Sequence, residues 1–114
     1  ELHGARGNFE VRDLGVTAAT GGRLALKHSR AIKPFEAETG WHWHDMDAHV
    51  IHVLKGSITF RFDGEPEAVV VRAGETLNQP AGVAHNVVAY SDDLELIEIN
   101  LPADHASIPV APER

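Results

Sequence analysis

The sequence contains no cysteine and only one methionine among its 114 residues. The chain therefore has no disulfide, no thiolate metal ligand and no cysteine nucleophile. Apolar runs are short as well, far below the roughly 18 residues that a membrane span requires. Basic residues are outnumbered, with ten Lys and Arg against 17 Asp and Glu and a net charge of -7. This charge opposes nucleic-acid binding, which depends on basic side chains that neutralise phosphates. We expect neither a membrane nor a nucleic acid as a partner.

The length and mass, 114 residues and 12.4 kDa, are those of a single globular domain. We predict one domain over residues 1–114. A domain this small leaves much of its surface exposed, so we also expect a second subunit to cover one face in a homodimer. The N-terminus lacks the basic-then-apolar pattern of a secretory signal, which predicts a soluble, cytoplasmic protein. The first residue is Glu1 and the only methionine is Met46, so the sequence is also compatible with removal of an N-terminal leader.

Short alternating segments dominate the chain, and no stretch of ten residues has a clean helical period. The clearest segment is Ser57–Phe62, whose apolar residues share one face of a predicted strand. It leads through Asp63-Gly64, a favoured tight-turn pair, into the valine-rich residues 68–72, and so predicts a hairpin. Further predicted strands cover residues 9–14, 23–31, 49–54, 75–79, 83–90 and 94–101. Many evenly spaced strands indicate an all-β barrel or sandwich. Residues 102–114, with three prolines, predict an extended C-terminal arm or a frayed end.

Eight histidines are the main chemical feature of the sequence. His42 and His44 flank Trp43, so on a strand both imidazoles point to one face and the indole to the other. His49 follows on the next predicted strand, and His85 comes much later, just after a Pro-Ala-Gly turn. A His-x-His pair alone is not specific for a metal. Several neutral imidazoles that converge on one divalent ion do form a site without cysteine.

The spacing of these histidines relative to glycine and proline resembles a known family. The residues concerned are Gly40, His42, His44, His49 and Gly56, followed by Gly74, Pro80, Gly82 and His85. They resemble the two conserved motifs of the cupin superfamily. The second motif fits at every fixed position, and the first fits except that His49 stands where the family has glutamate. The resemblance covers residues 40–89 and implies an antiparallel β-barrel of the jelly-roll type with a metal ion inside.

By this resemblance the metal ligands are His42, His44 and His85, with His49 in the glutamate position. If His49 coordinates, the site has four neutral donors, as in the four-histidine cupins. If it does not, three histidines remain, as in the acetylacetone-cleaving dioxygenases of the family. Either set leaves the charge of the ion uncompensated, which favours anionic ligands. About two or three coordination positions then stay open for water, dioxygen or a chelating substrate.

The resemblance also implies a cofactor and a class of activity. We expect one divalent ion per chain, Fe(II) or Mn(II) first and Zn(II) or Ni(II) as the alternatives. The expected activity is that of a mononuclear metal-dependent oxidoreductase, of the dioxygenase kind, on a small enolisable or anionic substrate. One alternative is a metal-assisted isomerase or lyase. Another is a non-catalytic cupin that binds a metal or a small ligand.

Residues beside the motifs carry further expectations. Phe60 and Phe62 line the interior if their strand face is the inner one, which would make the substrate cavity mostly apolar. Asn78 and Gln79, just before the Pro80 turn, are expected to cap the backbone rather than contact a substrate. His52 is expected to face away from His49, on the outer side of its strand.

Overall fold

The fold is known from a computed structural model, which describes residues 8–103 and 106–109. This part of the chain consists mainly of β-strands with one short helix, α1 (Val16–Ala19). The strands are β1 (Phe9–Asp13), β2 (Ala25–Ala31), β3 (His42–Asp45), β4 (Ala48–Lys55), β5 (Ser57–Phe62), β6 (Val69–Arg72), β7 (Thr76–Asn78), β8 (His85–Tyr90), β9 (Glu95–Leu101) and β10 (Ala106–Pro109). Within residues 8–103 and 106–109, no helix has the length and apolar character needed to cross a membrane.

The strands form two five-stranded sheets. The first sheet has the order β1-β2-β9-β4-β7, and the second has the order β10-β3-β8-β5-β6. Every strand pairing is antiparallel. This arrangement confirms the all-β, antiparallel fold predicted from the sequence.

The core lies between the two sheets. Ile58 and Phe60 of the second sheet and Ile51 and Leu96 of the first are 0–1% exposed and belong to one hydrophobic cluster. Burying a side chain of this size stabilises the folded state by roughly 1.5–3 kcal/mol. Phe62 is also buried, so the apolar face of β5 is its inner face. Phe60 and Phe62 therefore line the interior, as predicted.

The structure differs from the sequence prediction at several element boundaries. Residues 23–24 lie outside β2, because the chain first makes α1 and then a turn in which Thr20 Oγ1 accepts a hydrogen bond from the backbone N–H of Leu24. The predicted strand over residues 75–79 is shorter at both ends. Residues 106–109 of the predicted arm form β10, which pairs with β3. Residues 104–105 and 110–114 of that arm lie outside the described part.

The turn between β4 and β5 passes the chain from the first sheet to the second. Gly56 occupies this turn with a φ of 76°, in the left-handed region that glycine adopts most readily. A Cβ at this position would overlap Ser91 Oγ and Asp93 Oδ1 and would lie 3.1 Å from Leu94 Cα. The glycine of the first motif is therefore required both by its backbone conformation and by close packing against the turn before β9.

Candidate metal centre

Strand β3 contributes two histidines to the interior. His42 and His44 alternate with Trp43, and both histidines are buried, at 3% and 5% exposure. Trp43 is half-buried on the other face of the strand, where its register partner is Ile108 of β10. The predicted alternation of side chains across β3 is therefore present, and both imidazoles lie between the two sheets.

His85 begins β8, the neighbouring strand of the same sheet, and its Cα is the register partner of the His42 Cα. One ring nitrogen from each of His42, His44 and His85 lies within 4.8 Å of the others, and all three side chains are buried. The rings of Phe60 and Phe62 lie 6.1 and 5.9 Å from the His85 ring, centroid to centroid. The second sheet thus builds a compact three-histidine cluster with an aromatic flank.

Hydrogen bonding and burial prepare these imidazoles for a cation. His42 Nδ1 donates to the carbonyl oxygen of Gly40 at 2.7 Å, which directs Nε2 to the cluster. Burial and, to a smaller extent, the charge of His42 lower the pKa of His85 to about 4, against a hydrogen bond with the backbone of Val83 that raises it. His85 is therefore neutral near pH 7, and neutral imidazole is the form that binds metals.

His49 lies on the opposite side of the interior, on β4 of the first sheet. Its ring is 4.8 Å from the His44 ring and 6.5 Å from the His85 ring, centroid to centroid. His49 Nε2 forms a 2.7 Å hydrogen bond with Glu98 Oε2. Coordination by His49 through Nε2 would require Glu98 to release that nitrogen. The three other histidines form the compact cluster, and a ligand role for His49 stays a prediction.

Three further polar side chains surround His49, and we call Gln79, Glu98 and Asn100 the polar wall. They are 2%, 1% and 0% exposed. The Asn100 Cα is the register partner of the His49 Cα between β9 and β4. Gln79 Nε2 lies 3.4 Å from His49 Nε2. Like His49, the polar wall belongs to the first sheet or its adjoining turn, so it faces the three-histidine cluster across the interior.

Sequence reasoning did not identify the polar wall. The expectation that the Gln79 side chain caps the backbone is wrong, because this side chain is buried beside His49. Asn78 is exposed, and its capping role stays a prediction. On β9, Glu98 and Asn100 share a face with the buried Leu96. The opposite face carries Ile97, Ile99 and Leu101 and is the more apolar one, so alternation did not show that Glu98 and Asn100 point inward. The only available signal was two polar residues at a spacing of two within an apolar strand.

The prediction for His52 is confirmed. Its side chain is on the face of β4 opposite to His49, and its Nδ1 lies 2.8 Å from Thr76 Oγ1 at an exposed position. It is therefore remote from the interior site.

Comparison with solved structures identifies proteins of the same fold. The polyketide cyclase RemF from Streptomyces resistomycificus is 23% identical over 96% of this chain and 75% of its own, with a TM-score of 0.75. A cupin-like protein from Thermotoga maritima is 21% identical over 95% of this chain and 80% of its own, with a TM-score of 0.68. The oxalate decarboxylase of Bacillus subtilis, a protein with Mn(II) centres, is 19% identical over 90% of this chain but only 28% of its own, with a TM-score of 0.66.

Family-level comparison agrees with these structural similarities. No curated protein sequence matches the chain. The family model described as the cupin domain matches residues 30–100, which is more than half of the chain and includes both histidine motifs. The chain therefore belongs to the cupin domain family.

Proposed function

We propose that this protein is a mononuclear metal-dependent enzyme that acts on a small enolisable or anionic molecule between its two sheets. The observation that supports this most directly is the convergence of three buried imidazoles, those of His42, His44 and His85, within 4.8 Å. A neutral imidazole presents one unprotonated ring nitrogen, and three such nitrogens this close together suit one shared cation. A divalent cation is the ligand that suits this donor set.

The residues fit such an ion in type and in protonation. All three donors are imidazoles, the lowered pKa of His85 keeps that ring neutral near pH 7, and His42 is oriented by the Gly40 carbonyl oxygen. Fe(II) and Mn(II) are the first candidates, and Zn(II) and Ni(II) suit the same nitrogens. A bound ion supplies a Lewis acid that polarises a substrate oxygen and, if it is redox-active, a centre for dioxygen chemistry. Phe60 and Phe62 restrict water on one side of the cluster, which strengthens electrostatic attraction for an anionic substrate.

An oxygen-dependent reaction is the first reaction class that we propose. Three protein nitrogens leave about three coordination positions of an octahedral ion open, enough for a chelating substrate and a second reactant. No side-chain nucleophile is then required. The structural similarity to an oxalate decarboxylase with Mn(II) centres supports manganese as one of the candidate ions.

A non-oxidative isomerase or lyase is the second candidate, and one observation favours it. The buried Glu98 carboxylate, hydrogen bonded to His49, faces the three-histidine cluster from the other sheet. A carboxylate in that position can accept a proton from a substrate carbon, and an ion held by His42, His44 and His85 would supply polarisation of the adjacent carbonyl. The structural similarity to a polyketide cyclase also supports an enzymatic role in general.

Oxygen consumption distinguishes the two classes. The protein is loaded with Fe(II) or Mn(II) and mixed with β-dicarbonyl and catechol-type compounds, and both dioxygen and product are followed. Metal-dependent oxygen uptake supports the oxidoreductase, whereas turnover without oxygen supports the isomerase or lyase. Binding without any product would leave a non-catalytic, ligand-binding cupin and contradict the enzymatic proposal.

Glu98→Gln provides the matched variant for the second candidate. Glutamine preserves the size of the side chain and a hydrogen bond to His49 but does not accept a proton from carbon. Anaerobic turnover should fall at least about 100-fold, in line with typical contributions of general bases, while metal content stays at the wild-type level. Unchanged anaerobic turnover in Glu98→Gln would remove Glu98 from the reaction.

A further inference from the structure

Asn100 is a fully buried amide with nothing in the described fold to bond. It is 0% exposed and lies on the inner face of β9, between His49 on one neighbouring strand and Ala25 on the other. Among residues 8–103 and 106–109, neither Asn100 Nδ2 nor Asn100 Oδ1 has a hydrogen-bond partner. A buried amide without partners is unfavourable, and an apolar residue of the same size would avoid that penalty.

Asn86 shows how this fold treats a buried amide with a structural role. It is also buried, at 3% exposure. Its Oδ1 accepts from the backbone N–H of Gly40 at 3.0 Å, and its Nδ2 donates to Glu38 Oε1 at 2.8 Å. Both the oxygen and the nitrogen of the Asn86 amide are therefore hydrogen bonded to the segment before β3. Asn100 has the same side chain and equal burial but no such function.

Gln79 extends the same pattern next to Asn100. Its backbone N–H donates to the His49 carbonyl oxygen at 2.7 Å, which holds it against β4. Gln79 Oε1 is buried and has no hydrogen-bond partner within the described ranges 8–103 and 106–109. Two amides beside His49 thus present unused hydrogen-bonding atoms in the interior that faces the three-histidine cluster.

We propose that Asn100, assisted by Gln79, binds a neutral hydroxyl group of the substrate, whose anionic end is taken by the metal at the three-histidine cluster. A hydroxyl donates one hydrogen bond and accepts others, so it matches the donor and acceptor atoms of one amide. A carboxylate only accepts, and at this place it would meet the Glu98 carboxylate on the same face of β9. The substrate class is therefore a small hydroxy acid or hydroxy-carbonyl compound. This inference rests on the proposed function.

The first test is thermal stability of the metal-free protein. Asn100→Leu removes an amide without partners, so its melting temperature should equal or exceed that of the wild type. Asn86→Leu removes the hydrogen bonds of the Asn86 amide to Glu38, Thr39 and Gly40 and should lower the melting temperature by at least about 4 °C. A decrease in Asn100→Leu as large as that in Asn86→Leu would show that Asn100 has a structural role and would overturn the proposal.

The second test is ligand discrimination by the Mn(II)-loaded protein. Calorimetry compares hydroxy acids with their deoxy partners: glycolate with acetate, 3-hydroxypropionate with propionate, and 3- and 4-hydroxybutyrate with butyrate. At least one hydroxy acid should bind about five- to tenfold more tightly than its partner, and Asn100→Leu should abolish that difference. Absence of any preference in the wild type, or a preference that survives in Asn100→Leu, would overturn the proposal.

Metal content of the same samples separates this inference from the proposed function. If wild-type protein does not bind Mn(II), the proposed function fails. If the loaded protein binds the acids without a preference for a hydroxyl group, only the role of Asn100 fails. A crystal structure is compared with the binding data. If an ordered water bonds the amides of Asn100 and Gln79 and the protein shows no preference for a hydroxyl group, the two amides only bind a buried water and the proposal is overturned.

Discussion

At the residue scale, the histidines are not equivalent, although the motif treats them as one set. His85 belongs to the compact cluster, whereas His49 is bonded to Glu98 on the other sheet. His85→Ala should therefore raise the dissociation constant for Mn(II) at least about 100-fold, since loss of groups that only orient a ligand already costs 10- to 100-fold. His49→Ala should raise the dissociation constant for Mn(II) about tenfold or less. Calorimetric titration measures both constants, and equal losses would show that His49 is a full ligand.

The pKa of His85 gives a prediction for the metal-free protein. In the fold it is lowered to about 4, mainly by burial, from the ordinary value of 6.5. Between these two values the unfolded chain binds more protons than the folded chain, so stability decreases as pH falls. The slope that this single group contributes is at most about 1.4 kcal/mol per pH unit.

Urea denaturation of the metal-free protein at pH values from 7 to 4 measures this dependence. His85→Gln lacks the imidazole, so its free energy of unfolding should change less with pH than that of the wild type. The difference between the two slopes is the contribution of His85. Identical slopes would contradict the link between the burial of His85 and acid sensitivity.

At the element scale, the turn at Gly56 connects β4 of the first sheet to β5 of the second. Gly56→Ala combines a left-handed φ with overlap against Ser91 and Asp93 and should destabilise the protein by about 2–4 kcal/mol. Gly64→Ala is the matched control, because Gly64 has a φ of 88° but nothing within 4 Å of a Cβ. Gly64→Ala should destabilise the protein only through backbone strain, by about 1–2 kcal/mol. Chemical denaturation compares them, and equal effects would remove the packing part of the argument.

Strands with one polar face and one apolar face were predictable from the sequence. In Ser57–Phe62 the alternation shows the inner face, and the structure confirms it. The same rule brought His42 and His44 to one side of β3. It did not work for β9, where the more apolar face, with Ile97 and Ile99, points outward and tertiary packing directs Glu98 and Asn100 inward. The polar wall therefore required the structure, since Gln79 follows β7, Glu98 and Asn100 lie on β9, and the three residues follow no motif.

At the scale of the whole molecule, the outer face of the first sheet is apolar at its centre. Leu26, Val50, Ile97 and Ile99 alternate with buried residues and are only half-buried. An ion pair between Arg30 and Glu10 lies at the margin of this patch, and His28 Nε2 lies 2.7 Å from Glu95 Oε2 there. A patch with both charges at its margin can complement itself across a two-fold axis. We propose that a second copy of the chain covers this face.

Light scattering after size-exclusion chromatography tests this homodimer. The wild type should have twice the 12.4 kDa of the chain. Ile97→Glu places a charge in the patch and should give a monomer. Val70→Glu, at an exposed position on β6 of the other sheet, is the control and should remain a dimer. A wild-type monomer, or a dimer that tolerates Ile97→Glu, would contradict this assignment of the interface.

Anomalous diffraction from crystals grown with Mn(II) shows whether the three buried histidines hold one ion. We expect one ion per chain between the two sheets, within bonding distance of a ring nitrogen from each of His42, His44 and His85. An interior without an anomalous peak under saturating Mn(II), or a peak bound only by surface carboxylates, would contradict it.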